Sequence, residues 1–192
     1  MKKDKFVAKL DDILNKIKKN LMYFFNKKYA DDRKYPINFL KWVLEVTIKN
    51  KIIHSNKSSK DKEMVRRRRS RVYWIDFGKN IGSEFNDPHF CVVIKESQFT
   101  AIVVPLSSQK ESTPDWKMSE DLIVPIGYLN DLPEKRKPSY ALVNQITTVS
   151  KKRLSTFKYK GNYLKMKLTD QQMNLIDKTI MKLCVYKGKE ER

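Results

Sequence analysis

The chain has 192 residues, 40% of them hydrophobic and 11% aromatic, which is enough to bury a core and excludes a chain disordered by composition. Its 41 Lys and Arg against 22 Asp and Glu give a net charge of +19, a field that attracts polyanions, with nucleic acid as the first partner class and an anionic membrane surface as the second. Two cysteines exclude a disulfide framework, and no apolar run is long enough for a membrane span.

The positive charge is unevenly distributed. Residues 1–70 hold 21 basic and 8 acidic residues, a net of +13, and the remainder holds 20 and 14, a net of +6. A solvated lysine-rich surface would account for the Lys excess alone. The run Arg66-Arg67-Arg68-Arg69-Ser70-Arg71 points more directly to phosphate, because a guanidinium makes planar two-pronged contacts with it.

The N-terminus and the cysteines bear on the cellular compartment. The first residues are basic, but charges recur every few positions and no signal-peptide core follows, so we expect a cytoplasmic protein that does not bind membranes. Cys91 and Cys184 both lie in apolar stretches, and we expect buried, reduced thiols.

Residues 1–53 are predicted to form a helical hairpin. Apolar residues recur at three- and four-residue steps through 4–28, and Tyr35-Pro36 opens a second helix after a polar turn, with proline at a favourable first position. The stripes need a partner, either each other or the rest of the protein. Three roles remain open for this hairpin: an RNA-binding arm, a built-in cover of the site, or an enlargement of the core or of a dimer interface.

Residues 54–65 are polar and are predicted to be a linker to a domain spanning 66–192. The pattern then changes to short runs rich in β-branched and aromatic residues, which predict strands over 72–77, 90–95, 100–105, 122–126 and 140–149. Thr169-Asp170-Gln171-Gln172 is a capping box that predicts a final helix. The fold class is therefore α+β, a small antiparallel β-barrel with a C-terminal helix.

Five sequence blocks resemble the MazF/PemK family of toxins in order and spacing over roughly residues 65–186. The blocks are Val72-Tyr73-Trp74-Ile75-Asp76-Phe77-Gly78, Gly82-Ser83-Glu84, His89-Phe90-Cys91-Val92-Val93-Ile94, Ala101-Ile102-Val103-Val104-Pro105-Leu106-Ser107-Ser108, and 139–149 with Lys151-Lys152-Arg153-Leu154 after it. The resemblance implies an SH3-like barrel, the fold of the MazF, PemK and CcdB toxins, arranged as a homodimer.

The activity implied by the resemblance is that of an endoribonuclease acting on single-stranded RNA without a metal or other cofactor. The RNA's 2′-hydroxyl attacks the adjacent phosphorus, which yields a cyclic phosphate and a 5′-hydroxyl end. Such an enzyme needs a proton acceptor, a proton donor and a cation for the phosphorane charge. The resemblance also implies a cognate antitoxin, a protein in preference to an RNA.

Two positions carry the implied catalytic site. His89 stands where the family usually has Arg, and Ser107 stands at the family's catalytic hydroxyl, normally Thr. An imidazole can still exchange protons near neutral pH, but it is not a permanent charge. His89 could equally be a strand-edge residue with a local hydrogen bond.

The remaining candidates are secondary. Ser108 and Glu84 are further catalytic candidates, although Glu84 could be a solvated loop acid; Arg69, Arg71, Lys95, Lys110 and Trp116 are candidate RNA-binding residues. Trp74 alternates within a strand and is better explained as core. Two family features are missing, since Ser70-Arg71 replaces Gly-Asp before the first strand and Thr147 replaces an Arg.

Two other functions compete with RNA cleavage. Gyrase-poisoning toxins of the CcdB type share the barrel and act by binding, so a non-catalytic protein- or nucleic-acid-binding module, including a DNA-binding one, stays open. The basic hairpin also leaves open a nucleic-acid or membrane-surface adaptor.

Overall fold

The structure, a computed structural model, describes residues 3–26, 30–55, 66–108, 121–129, 132 and 138–185. Most of the predicted linker, together with Lys110 and Trp116, lies outside the described residues. The chain divides into two compact units, residues 1–61 and 62–192.

The N-terminal unit contains α1 (Lys3–Met22), a 3-10 turn (Tyr23–Asn26) and α2 (Ala30–Ser55). The prediction that the second helix opens at Tyr35-Pro36 was wrong, since α2 begins at Ala30 and Pro36 lies inside it. The helix therefore already includes residues 30–34, which were expected to belong to the polar turn.

Aromatic packing orders the region where the helices meet. The ring of Phe24 lies 4.8 Å from that of Tyr35, and Phe39 follows at 6.0 Å from Tyr35. The apolar stripe of α1 remains accessible along its length, with Phe6 53% and Ile17 37% exposed. Within this unit, α2 therefore does not cover the stripe.

The second unit is a sheet with a C-terminal helix. Its strands are β1 (Val72–Asp76), β2 (Pro88–Glu96), β3 (Thr100–Ser108), β4 (Ile123–Gly127), β5 (Ser139–Leu142) and β6 (Thr147–Ser150), followed by the hairpin β7 (Lys158–Tyr159) and β8 (Asn162–Tyr163) and by α3 (Asp170–Cys184). The order is β1-β2-β3-β5-β4, with β6 also on β3, and all of the pairs are antiparallel. The predicted fold class, α+β with an antiparallel sheet and a C-terminal helix, is confirmed.

The segment predicted as one strand over 140–149 is two strands separated by a 3-10 turn at Val143–Gln145. The correction has a geometric reason, because β3 pairs with β5 through residues 106–108 and with β6 through residues 100–103. One edge of a single long strand thus accepts two short strands in succession.

Both faces of the sheet are buried. Along β1 and β2, Val72 and Val92 pack into a cluster with Met173 and Ile176 of α3, whereas the alternate residues Ile75 and Cys91 pack into a second cluster. This alternation follows the two-residue period of a strand. It explains why the strands read as nearly continuous apolar runs.

The C-terminal helix begins as predicted. The Thr169 hydroxyl accepts a hydrogen bond from the Gln172 backbone N–H, and the Gln172 side chain returns one to the Thr169 backbone. The expectation for the thiols was half wrong, because Cys91 is buried but Cys184, at the end of α3, is exposed. Burial raises the pKa of the Cys91 thiol to about 12, which keeps it protonated and inert.

Ser70, two residues before β1, has an unusual backbone conformation. Ser70 has φ of 66°, in the left-handed region, and its backbone bonds Val93 and Leu168 on either side, at 2.9 Å each. Glycine adopts this conformation without steric cost. Ser70 adopts it although serine has a Cβ atom, and hydrogen bonds to two neighbouring segments hold it in place.

A charged network ties the start of this unit to the sheet. Glu96 accepts a hydrogen bond from the Arg67 backbone N–H at 2.7 Å and an ion pair from the buried Lys151 at 2.9 Å. The hydrogen bond from the Arg67 backbone, the side-chain bond from Lys151 and the charges of Lys151 and Arg66 hold the pKa of the Glu96 carboxyl below its usual range, against an opposing effect of burial.

The lowered pKa of Glu96 predicts a dependence of stability on pH. A carboxyl whose pKa is lower in the folded state stabilises the fold above its unfolded value of 4.5, and that contribution disappears as the pH falls through the folded value. Glu96→Gln should therefore unfold at a lower urea concentration than wild type at neutral pH, with the gap closing as the pH falls below the unfolded value of 4.5. Glu84→Gln, in an exposed loop, is the control; a gap that persists at low pH would contradict the assignment.

Candidate active site

His89 and Ser107 lie at the same end of neighbouring strands. The β2–β3 pairing ends at Phe90 and Leu106, and His89 and Ser107 are the next residues of the two strands beyond this last pair. Residues 18 positions apart in sequence are thereby brought together.

The two side chains also share a face of the sheet. His89 pairs with Ile75, and Ser107 pairs with Tyr140, both of which are buried. The ring of Phe85 packs against the cluster of Ile75 and against the cluster of Tyr140, which shows that the two clusters adjoin. His89 and Ser107 are themselves partly exposed, so a ligand can reach them.

The imidazole of His89 is held on two sides. Its ring lies 4.5 Å from the ring of Phe85, and its Nδ1 lies 3.4 Å from the Asp87 carbonyl oxygen. A carbonyl only accepts hydrogen bonds, so this contact favours a proton on Nδ1. The neutral imidazole then presents the lone pair of Nε2, which is the requirement for a general base.

The loop that contains Glu84 is fastened beside this histidine. Gln145 accepts a hydrogen bond from the Phe85 backbone N–H at 3.2 Å and donates one to the Ser83 carbonyl at 3.3 Å. Glu84 stands between these two anchored residues, and its side chain is exposed. Gln145 belongs to the family-like block, but the sequence assigned it no role; the structure makes it the clamp of the loop.

Two of the predicted site residues lie elsewhere. Ser108 follows Ser107 along β3, so strand alternation directs it to the opposite face. Lys95 lies six residues beyond His89 along β2, roughly 20 Å at ~3.3 Å per residue. The structure therefore does not bring either residue to the side chain of His89.

Arg153 is a cation that the sequence did not assign to the site. Its guanidinium donates to the Asp76 carbonyl at 2.5 Å, and Asp76 follows directly on Ile75, the partner of His89. Its charge also acts on Cys91, whose pKa is lowered by it to a minor degree against the dominant effect of burial. A permanent positive charge is thus available at this end of the sheet.

The arginines before β1 have different environments. Arg69 donates to the Ile94 carbonyl at 2.8 Å and to both carboxylate oxygens of Asp177 on α3, so its fork is used within the fold. Arg71 donates to the Lys165 carbonyl at 3.0 Å and lines a pocket with Arg66 and Arg68. Trp74, which was expected to be core, is only partly buried, and its ring lies 4.9 Å from that of Phe90 and 5.6 Å from that of Phe157.

The described residues also bear on metals and membranes. In the described part of the chain, no group of three or more His, Cys, Asp and Glu side chains is placed to hold a metal ion. None of the described helices combines the length and apolar character needed to cross a membrane.

Comparison with known proteins covers most of the second unit. A family model described as "PemK-like, MazF-like toxin of type II toxin-antitoxin system" matches residues 68–184. A search of curated proteins finds no significant match. The matched residues include every strand of the sheet and the whole of α3.

Proposed function

Because this chain belongs to the PemK-like, MazF-like toxins of type II toxin–antitoxin systems, we propose that it is an endoribonuclease that cleaves single-stranded RNA. The single observation that carries the proposal is the juxtaposition of His89 and Ser107, at the partly exposed end of β2 and β3. An imidazole and a hydroxyl on one face can serve both the proton transfer and the phosphate.

The proposed reaction uses the RNA's own 2′-hydroxyl. His89 takes the proton of that hydroxyl through Nε2 while its oxygen forms the new bond to phosphorus. The Ser107 hydroxyl donates a hydrogen bond to a non-bridging phosphate oxygen. Arg153 supplies the permanent positive charge that an arginine in place of His89 would have provided. The bond to the 5′ oxygen breaks, that oxygen takes a proton from water, and a cyclic phosphate remains.

Glu84 has a supporting place in this proposal. Its loop is pinned by Gln145 next to the ring that contacts His89, so its carboxylate can approach an RNA bound there. Lys110 and Trp116 stay as predicted RNA contacts from the segment that follows β3, outside the described residues. The proposed reaction gives no role to three other predicted residues. Ser108 lies on the opposite face, Lys95 lies six residues from His89, and Arg69 is bonded to Asp177.

The test is to incubate the purified full chain with a long single-stranded RNA in the presence of EDTA. Defined fragments that end in a cyclic phosphate and a 5′-hydroxyl are the expected result. Intact RNA that migrates more slowly would overturn the cleavage proposal and favour a binding module of the CcdB-like kind. Mapping the new 5′ ends would then give the cleavage motif.

Membership in this family implies a toxin–antitoxin system in which the partner of the chain is a protein antitoxin. We also propose that the barrel is a homodimer whose RNA runs across both protomers. Sedimentation at micromolar concentration should show a species of about twice the 22.8 kDa chain mass. A species of 22.8 kDa alone would contradict the dimer.

A further inference from the structure

A cationic pocket lies at the start of β1, away from the His89 end. It has a volume of ≈ 230 Å³ and is lined by cationic, hydroxyl and apolar side chains, the polar ones being Arg66, Arg67, Arg68, Arg71, Thr156 and Lys165. No carboxylate lines it. Five cations around one small opening favour an anionic ligand.

The fold explains why the pocket opens there. The outer edge of β1 is covered by two segments, since Trp74 exchanges backbone hydrogen bonds with Ser155 at 2.9 Å and Val72 donates to the Met166 carbonyl at 3.0 Å. Between these contacts the chain leaves the edge to form the β7–β8 hairpin. The pocket is the gap at the base of that hairpin.

Arg67 positions the basic run at this gap. Its guanidinium donates to the Leu154 carbonyl at 2.8 Å and lies 4.9 Å from the centre of the Tyr73 ring, and its backbone N–H bonds Glu96. With Arg67 fixed on the sheet, its neighbours Arg66 and Arg68 are held at the pocket with exposed side chains. Arg67 thus acts through its neighbours and is a positioning residue.

The hairpin beside the pocket adds aromatic and basic side chains. Tyr163 is 67% exposed, and Lys158 lies 5.6 Å from the centre of its ring. The Lys160 ammonium likewise lies 5.3 Å from the centre of the Tyr159 ring. Tyr163 is thus exposed and Tyr159 is partly buried. An exposed aromatic ring beside lysines is typical of surfaces that bind single-stranded nucleic acid, where bases stack and the backbone is neutralised.

We propose that this pocket binds a backbone phosphate of single-stranded RNA, and that Tyr163 stacks on a neighbouring base. The exposed ring of Tyr163 favours RNA over an acidic peptide, because RNA has bases that can stack on the ring, whereas an acidic peptide would be bound by the cations alone. The proposal rests on the proposed function for the identity of the ligand. Arg71 lies four residues before Ile75, roughly 13 Å along β1, so an RNA strand at His89 reaches the pocket within a few nucleotides.

The experiment measures binding separately from cleavage. A fluorescent single-stranded oligonucleotide with 2′-O-methyl groups cannot undergo the attack, so its Kd reports binding whether or not the protein is a nuclease. The pocket variant is Arg68→Ala/Lys165→Ala, because neither side chain has an ion pair or hydrogen bond within the described part of the chain. Lys178→Ala/Lys182→Ala, on exposed positions of α3, removes the same charge elsewhere in this unit.

We expect the pocket variant to bind about 10-fold more weakly at about 0.1 M salt, with the slope of log K against log salt reduced by about 0.7–1.4, as for one or two phosphate contacts. The α3 control should change affinity less than about 2-fold. Tyr163→Leu should weaken binding and Tyr163→Phe should retain it, because stacking needs only the ring.

Two results would overturn the pocket proposal. Equal losses in the pocket and α3 variants would mean that charge acts without a site. Unchanged RNA binding, combined with loss of affinity for a polyglutamate peptide, would make the pocket a protein-binding site. If the wild type does not cleave RNA but the pocket variant and Tyr163→Leu still bind the oligonucleotide more weakly, the nuclease proposal is wrong and the pocket proposal stands.

Discussion

Replacing His89 by Ala should lower kcat/KM for RNA cleavage by about 100-fold or more, roughly 2.7 kcal/mol of transition-state stabilisation. The reason is that the imidazole is the proposed proton acceptor and no other imidazole lies on these strands. Ser107→Ala should cost at least about 10-fold, since it removes one hydrogen bond to the phosphate. Initial rates on a defined oligonucleotide measure both effects.

The controls for this experiment come from the same strands. Ser108→Ala removes a hydroxyl one residue away on the opposite face, and Lys95→Ala removes a charge from the far end of β2, so both should cleave at near the wild-type rate. If His89→Ala and Ser107→Ala also match wild type, the proposed site is in the wrong place. Thermal unfolding of each variant separates a loss of chemistry from a loss of fold.

The variant His89→Arg tests whether Arg153 supplies the positive charge at the same site. It restores the residue type usual in the family at this position, and with it a permanent charge near the phosphate. If Arg153 already supplies that charge, then Arg153→Ala should lower the rate in the His89 chain and have a smaller effect in the His89→Arg chain. Equal effects of Arg153→Ala in both chains would contradict the compensating role of Arg153.

Ile176→Ala should destabilise the second unit by about 2–5 kcal/mol, as a large-to-small substitution in a closed core. Ile176 is 0% exposed and packs in the cluster shared by α3 and the sheet. Leu175, the preceding residue on α3, is 48% exposed, so Leu175→Ala should change stability by only about 0.5 kcal/mol. Urea unfolding of the two variants measures the difference.

The Leu175 control also bears on assembly. If Leu175→Ala were as destabilising as Ile176→Ala at high protein concentration but not at low concentration, its face of α3 would be covered in a dimer. If the two variants were equally destabilised at every concentration, the orientation of α3 described here would be wrong.

The sequence by itself determined the features that depend on neighbouring residues. The capping box at Thr169 predicted the start of α3, because its two hydrogen bonds join residues three apart. Two-residue alternation and apolar runs predicted strands, and the order of five blocks identified the family, as the match to residues 68–184 confirms. Its errors were local as well, such as the start of α2, where proline is tolerated inside a helix.

Only the tertiary structure decided which side chains meet. Strand register brings His89 to Ser107 and leaves Ser108 on the other face, and no local pattern specifies a register. Arg69 bonds Asp177, 108 residues away, and the covering segments of β1 create the pocket around Arg68 and Lys165. Composition alone treats the arginines of the run as equivalent. Long-range packing uses the side chains of Arg67 and Arg69 within the fold and leaves Arg66 and Arg68 exposed at the pocket.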